Sequence, residues 1–256
     1  MTPVLSIIIP CYNLGQYLQE VIKSVELHAN INIFEIVIVN DGSTEEYTIT
    51  ILAELEKKGY HIIHQNNEGL SGARNKGIEA AKGKYILPLD ADNKINPLYI
   101  TKGISILENN IKVGIVYGDS KHFGEEKRIF KPGKFSLKKL LIENYIDACI
   151  VFRKKIWEQA QGYDTKLSLF EDWDFNLTAA KLGWEFYYIP EIMFEYRIRF
   201  NSMQRIGKRL EENKSFVINK HGSLYRNEFL KTITISSRLK SSLYDLWCKI
   251  KRKPNY

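Results

Sequence analysis

Two short acidic runs hold the chemistry open to this chain: Asp90-Ala91-Asp92 and Glu171-Asp172-Trp173-Asp174. A D-x-D pair at the end of an extended segment sets two carboxylates on one side of the backbone. Carboxylates so placed hold a hard divalent cation through oxygen, and that cation can hold a diphosphate. The second run opens a segment whose apolar positions Phe175, Leu177 and Leu182 suit a core-facing helix. One of its acids can serve as a general base, with Trp173 beside it to stack on a sugar face. Acids in a first turn also complement a helix dipole, which is the purely structural reading. A third acid, Asp41, lies in Asn40-Asp41-Gly42-Ser43, where a carboxylate accepts from a base or ribose, or closes an ordinary turn. Gly69-Leu70-Ser71-Gly72-Ala73-Arg74-Asn75 adds backbone amides and a guanidinium suited to an anionic or base-bearing ligand. It is neither a G-x-G-x-x-G nor a Walker loop.

These runs need elements that carry them to one edge. Val4 to Pro10 is apolar and β-branched, and the polar turn Cys11-Tyr12-Asn13 separates it from residues 14–27, where Leu18, Val21, Ile22 and Val25 recur at helical spacing. Phe34 to Val39 predicts a second strand ending at Asn40 to Thr44, with Ser43 and Thr44 able to cap a helix through Glu54. A third strand covers Tyr60 to His64, and the helix led in by the Gly69 run stops near Gly83. Lys84-Tyr85-Ile86-Leu87-Pro88-Leu89 has the length and flanks of a buried strand, which lifts Asp90-x-Asp92 above a solvated turn. A helix after Pro97 and a strand from Val113 to Tyr117 continue the alternation, which predicts βαβ units with ligands beyond the carboxyl ends of parallel strands. After about Gly118 the pattern changes. Residues 119–141 are rich in Lys, Phe and Gly; Ala148 to Phe152 is apolar; a helix starts near Glu171; Phe186 to Ile189 and Ile192 to Tyr196 are strand-like; residues 207–220 suggest another helix. No linker or internal repeat divides the chain, so this half is read as built on the same sheet.

The 256 residues, 44% of them hydrophobic, suffice for a large α/β core. Cys11, Cys149 and Cys248 are far apart and lack metal-ligand spacing, and the five histidines form no ligand set, so a reducing, cytoplasmic setting without structural zinc is expected. The opening residues lack a basic leader, and no apolar run approaches the roughly 20 residues that span a bilayer. Of the net charge of +7, residues 238–256 hold +5, six basic side chains against Asp245. There Leu239, Leu243, Leu246, Trp247 and Ile250 recur at helical spacing. Such a helix packs on the body or a partner, or lies on anionic lipid at the inner face of the cell membrane. A nucleic-acid-binding module is disfavoured, because the basic charge sits in the tail and the acidic runs repel phosphate.

Ser6 to Asn13, Ile36 to Ser43, Gly69 to Asn75, Asp90 to Asn93 and Glu171 to Asp174, in that order, resemble the inverting glycosyltransferases of family 2, over about residues 3–200. The resemblance implies the GT-A fold, an α/β architecture with a Rossmann-like, mostly parallel central sheet flanked by helices. Residues 1–220 would form that domain, with 1–118 its nucleotide-binding half and 119–220 its acceptor-binding half, and 221–256 a basic amphipathic helical extension. It implies that Pro10, Tyr12, Asn13, Asp41 and Arg74 surround the nucleotide, Asp41 reading the base. Asp90 would meet ribose and join Asp92 at a Mn2+ or Mg2+ ion; Asp172 would be the base, and Glu171 would help place acceptor or donor. Tyr196 to Met203 is similar to the segment that closes over the diphosphate. Many relatives have histidine where this chain has Arg199, and arginine suits phosphate charge. The implied activity moves a sugar from a nucleotide donor, UDP-linked, to a saccharide, lipid-linked or protein acceptor in bacterial surface polysaccharide synthesis. A sugar-phosphate nucleotidyltransferase shares sheet and metal, but its glycine-rich, Arg- and Lys-bearing signature is not Cys11-Tyr12-Asn13-Leu14-Gly15. Oligomeric state is left open.

Overall fold

A computed structural model of the chain describes residues 2–27, 31–199 and 207–235. The expected amphipathic helix from Arg238 and the Phe200 to Met203 part of the closing segment lie outside the described residues. The first strand, β1 (Leu5–Cys11), is buried throughout, as a strand covered on both faces must be. Its side chains alternate between two cores. Leu5, Ile7, Ile9 and Cys11 face one, which α1 (Gly15–Glu26), α2 (Glu46–Lys57) and α4 (Leu98–Asn109) close with Leu18, Leu52 and Ile100. Ile8 faces the other, closed by α3 (Gly69–Ala80), α5 (Leu137–Ile142), α6 (Lys154–Ala160) and α7 (Glu171–Lys181) with Ala73, Leu140, Ile156 and Phe175.

The remaining strands are β2 (Phe34–Asp41), β3 (His61–Gln65), β4 (Tyr85–Pro88), β5 (Lys94–Ile95), β6 (Val113–Gly124), β7 (Arg128–Phe130), β8 (Val151–Arg153) and β9 (Glu185–Ile198). They form a single sheet in the order β3-β2-β1-β4-β8-β6-β9-β5, with β7 paired to β6. The β3-β2-β1-β4 side is parallel, as expected. Beyond it the sheet is mixed: β8 is antiparallel to β4 and β6, and β5 to β9, while β6 and β9 are parallel. No crossover returns the chain to the opposite edge between β6 and β8, so β8 starts where β6 leaves and runs back. That reversal brings the residues just before β8 to the edge where β4 ends.

Three local expectations are corrected. Ser43 and Thr44 do not cap α2, whose N-cap is Glu45; their loop is organised by Asn13, described below. Leu182, expected in the core, is 45% exposed, because α7 ends at Lys181 and leaves it as the C-cap. The two strand-like stretches near residue 190 are one strand, β9, whose pairing with β6 shifts register around Gly118–Ser120. Pro190 lacks the N–H that unbroken pairing needs. The helix expected over 207–220 is α8 (Gly207–Lys220), and α9 (Gly222–Ile235) follows it. Val217 of α8 joins the second core, and Tyr225 of α9 donates its hydroxyl to the Leu141 carbonyl at 2.7 Å. Among the described residues no helix is long and apolar enough to cross a membrane.

Helix α3 lies close on the sheet because Gly77 has no side chain: an added Cβ overlaps the Ile8 Cγ2 methyl and sits 3.0 Å from Val39 Cγ2. Alanine in a helix gains about 1 kcal/mol over glycine, whereas overpacking a tight core costs roughly 1–3 kcal/mol. Gly77→Ala is therefore expected to lower the urea midpoint of unfolding; an unchanged or higher midpoint would show that the contact is not tight.

Candidate active site

The loops after β1, β2 and β4 leave the same edge of the sheet. Asn13 stands in the left-handed region at φ 53°. Its side-chain carbonyl accepts the N–H groups of Thr44 at 2.8 Å and Glu45 at 3.0 Å, and its own N–H goes to Ser43 Oγ at 3.1 Å. Asn13, expected beside the nucleotide, thus staples the β1 loop to the β2 loop. Pro10 is buried within β1 in register with Val39, behind the rim where it was expected to meet a ligand. Tyr12 projects, 47% exposed. Asp41 closes β2 and is buried; its Oδ1 accepts from Gln65 Nε2 at 2.7 Å and from the Glu68 N–H at 2.8 Å. These bonds orient the carboxylate and tie it to the start of α3, where Gly69 takes φ 78°.

Arg74 is 1% exposed. Its guanidinium donates to Asp90 Oδ1 at 2.8 Å from Nη2 and to Glu171 Oε1 at 2.5 Å from Nη1. Burial alone would lower its pKa, but Asp90 and Glu171 outweigh that and keep it charged. Arg74, expected beside the nucleotide, is thus buried under the loop after β4, and one oxygen of Glu171, expected to help place acceptor or donor, is engaged by it. Together they tie Asp90 to the first turn of α7.

Asp172 follows Glu171 directly. Asn144 Nδ2 lies 3.0 Å from both its oxygens, and the Trp173 N–H donates to Oδ1 at 2.8 Å. Burial, then the neighbouring Glu171, push its carboxyl up to about 7. Trp173, expected to stack on sugar, is buried and donates its indole N–H to the Leu140 carbonyl at 2.6 Å, so it is core. Asp174 is buried too, 2.8 Å from both His221 Nε2 and Lys220 Nζ, which pins α8 to α7. Cys11 is buried, its thiol pushed up to about 11 by desolvation, and serves as a small apolar filler.

Asp92 is mostly buried, and Arg199 Nε lies 2.6 Å from its Oδ2. Arg199 Nε makes no aligned hydrogen bond, so the contact is an ion pair. Desolvation, then the charge of Asp90, raise the Asp92 pKa against the pull of Arg199. Arg197 fixes the loop from behind: its N–H goes to Asn93 Oδ1 at 2.9 Å, its Nε to the Asp92 carbonyl at 3.0 Å, and its guanidinium lies over Tyr17 and Phe123. Among the described residues no three His, Cys, Asp or Glu side chains gather as a closed metal cage. A Mg2+ or Mn2+ ion that arrives with a diphosphate needs only one or two carboxylates, and Asp90, with its side chain 30% exposed, and Asp92 meet that requirement. By type and exposure the two carboxylates fit such an ion, with Asp92 also paired to Arg199.

Asn144, Asp147 and Arg197 were not singled out from the sequence. Asp147 sits just before β8, its Oδ1 accepting the Cys149 N–H at 2.8 Å, and burial and the charge of Asp90 push its carboxyl up to about 7. The signal available was its position ahead of the apolar run Ala148 to Phe152.

The model of the family described as Glycosyl transferase family 2 matches residues 6–162, from β1 through α6, and stops before Glu171 and Asp172. An uncharacterized glycosyltransferase of Methanocaldococcus jannaschii is 30% identical over 220 residues, 80% of this chain and 75% of its own length. EpsJ of Bacillus subtilis, also an uncharacterized glycosyltransferase, is 29% identical over 224 residues, covering 80% of this chain. The hyaluronan synthase of Pasteurella multocida is 25% identical over 238 residues, 88% of this chain. The chain spans 64% of EpsJ and 24% of that synthase. Among solved structures, residues 1–349 of S. aureus TarS in complex with UDP-GlcNAc superpose with a TM-score of 0.73 at 18% identity, over 87% of this chain and 66% of that one, a likeness of fold.

Neutralising one partner of a buried ion pair leaves the other uncompensated, at about 3 kcal/mol or more. Glu171→Gln is expected to lower the unfolding free energy by roughly that amount at neutral pH. Urea titration giving a wild-type midpoint would mean that Asp90 alone satisfies Arg74.

Proposed function

The chain belongs to glycosyl transferase family 2, and on that premise we propose that it moves a sugar from a uridine diphosphate donor to an acceptor hydroxyl with inversion at the anomeric carbon. The acceptor is a saccharide, lipid-linked or protein-borne, and the setting is surface polysaccharide synthesis at the cytoplasmic side of a bacterial membrane. Relatives named for hyaluronan and chondroitin synthesis, and a fold shared with a UDP-GlcNAc complex, support this choice. We read residues 1–118 as the donor half, 119–220 as the acceptor half and 221–256 as a helical extension. The observation that carries the reading is the Arg74 bridge, which joins Asp90 after β4 to Glu171, and so to Asp172 on α7, across the edge where β1 and β2 also end.

Asp41 would accept a hydrogen bond from the base, its orientation set by Gln65 and the Glu68 amide. Exposed Tyr12 would cover the base face. Asp90 and Asp92 would hold a divalent cation, whose bound form supplies Lewis-acid stabilisation to the departing diphosphate. Arg199, released from Asp92, would meet the phosphate charge. Asp172 would take the proton of the acceptor hydroxyl as its oxygen bonds to the anomeric carbon. The bond from that carbon to the diphosphate oxygen breaks with its electron pair on the leaving group. Attack from the face opposite the leaving group inverts the centre in one displacement. Asn144 would keep the carboxylate aimed while its proton affinity, raised by burial, makes it a competent base near neutral pH.

Asp172→Asn should bind UDP with Mn2+ like wild type and lose at least about 100-fold in transfer. Wild-type turnover in that variant excludes the base assignment. Asp92→Ala should weaken Mn2+-dependent UDP binding in calorimetry, and binding indifferent to both the variant and Mn2+ would remove the metal role. Because only the ionised Asp172 accepts a proton, kcat/KM should climb as pH rises to about 7 and level off above it. A flat profile from about pH 5 to 8 is incompatible with this base.

A further inference from the structure

Residues 127–142 hold six basic side chains and no acid, with Glu125 and Glu126 in the turn before them, whereas the chain outside this run and residues 238–256 is net negative. The run folds into one braced lobe: β7 pairs with the end of β6, Tyr117 donates its hydroxyl to the Gly133 carbonyl at 2.8 Å, and the Tyr145 hydroxyl accepts the Ser136 N–H at 2.8 Å. It stands beside the candidate base, because Tyr145 follows Asn144, whose amide holds Asp172. Two of its cations are engaged locally. Arg128 Nε donates to His122 Nδ1 at 3.1 Å, and Lys139 reaches the Pro132 carbonyl at 3.3 Å and the face of the Tyr145 ring. Lys127, Lys131, Lys134 and Lys138 are exposed and, among the described residues, make no ion pair. Ile129, between Lys127 and Lys131, points away from the side on which Arg128 and Phe130 meet His122, and is 55% exposed. Lys138 and Ile142 share a face of α5 at i, i+4, while Leu140 and Leu141 are buried and Ile142 is 59% exposed. Each element thus presents a bare isoleucine flanked by lysine.

We propose that this lobe docks on a bilayer surface rich in anionic lipid, Ile129 and Ile142 entering the interface while the four unpaired lysines meet headgroup phosphates. An apolar side chain rimmed by lysines suits that boundary, since the lysine stems follow it inward and their charges stay at the headgroups. The occupant must be anionic, which excludes the basic run 238–256 of this same chain. A soluble polyanion would satisfy the lysines and leave both isoleucines in water. The net negative remainder of the chain is repelled by the same surface, which turns the lobe toward it. The transferase reading names a membrane setting and no surface; this inference supplies the surface and does not depend on the nucleotide.

Sedimentation of the full chain with vesicles tests this. Wild type should bind vesicles of phosphatidylglycerol and phosphatidylcholine in equal parts, and should not bind phosphatidylcholine alone. A lysine near an anionic surface strengthens attachment about fivefold, so Lys131→Gln, Lys134→Gln and Lys138→Gln combined should weaken it about 100-fold. Ile129→Ser with Ile142→Ser should weaken it about 10-fold and leave the binding of inorganic polyphosphate at its wild-type level. Calorimetry with UDP and Mn2+ should give wild-type affinity in both variants, since the lobe lies outside the donor half. Wild type indifferent to phosphatidylglycerol, or a lysine variant that sediments like wild type, would overturn the docking surface. So would an isoleucine variant with undiminished vesicle binding, which would make the patch a site for soluble polyanions. Loss of UDP affinity in step with vesicle binding would place the lysines in the donor site and overturn it as well. Wild-type protein that binds vesicles but no UDP would instead count against the glycosyltransferase reading and leave the surface standing.

Discussion

One buried guanidinium, shared between Asp90 and Glu171, is the interaction on which the architecture of the site depends. A charge out of water is tolerable only when paired and hydrogen-bonded, and Arg74 is paired on both sides. Its partners come from opposite halves: Asp90 leaves β4 of the parallel side, while Glu171 begins α7, which packs beneath the antiparallel side. Holding both at fixed separation sets the gap between the loop that would receive a diphosphate and Asp172. Gly77, one turn farther along α3, lets the helix lie close enough for the guanidinium to reach both.

The same arrangement produces an imbalance of charge. Asp90, Asp147, Glu171 and Asp172 lie within electrostatic reach of one another and of Arg74, a single guanidinium among four carboxyl groups. Burial, then the neighbouring carboxylates, raise the proton affinity of Asp147 and Asp172. A ligand that brings positive charge relieves one part of this cluster, and a hydroxyl that surrenders a proton suits another. On the far side of the loop, Asp92 is held by Arg199 on its carboxylate and Arg197 on its carbonyl.

What could be read from the sequence was whatever repeats or ends an apolar run. The spacing of Leu18, Val21, Ile22 and Val25 located α1, and the run before Asp90 located β4, because burial on two faces leaves a continuous apolar signature. Residues 207–220 were helical as their pattern indicated. The direction of β8 was not legible, since Ala148 to Phe152 pairs equally well either way and only the path of the preceding chain decides. Arg74 and Trp173 are residue types that suggest contact with ligand, and their burial follows from helical phase, which residue type does not reveal. Asn144 and Asp147 have no motif at all. A lone amide and a lone acid acquire their places through a sheet that closes elsewhere in the chain.

The bridge of Arg74 also has a temporal side. Its nearer partner is 16 residues away and its farther one 97. At synthesis rates of about 5–20 residues per second, Glu171 is made roughly 5 to 20 seconds after Arg74. For most of that interval β1 to β4 and Asp90 have been made, while Glu171 has not. The second carboxylate partner of the buried arginine is therefore available to the nascent chain only once α7 has been made.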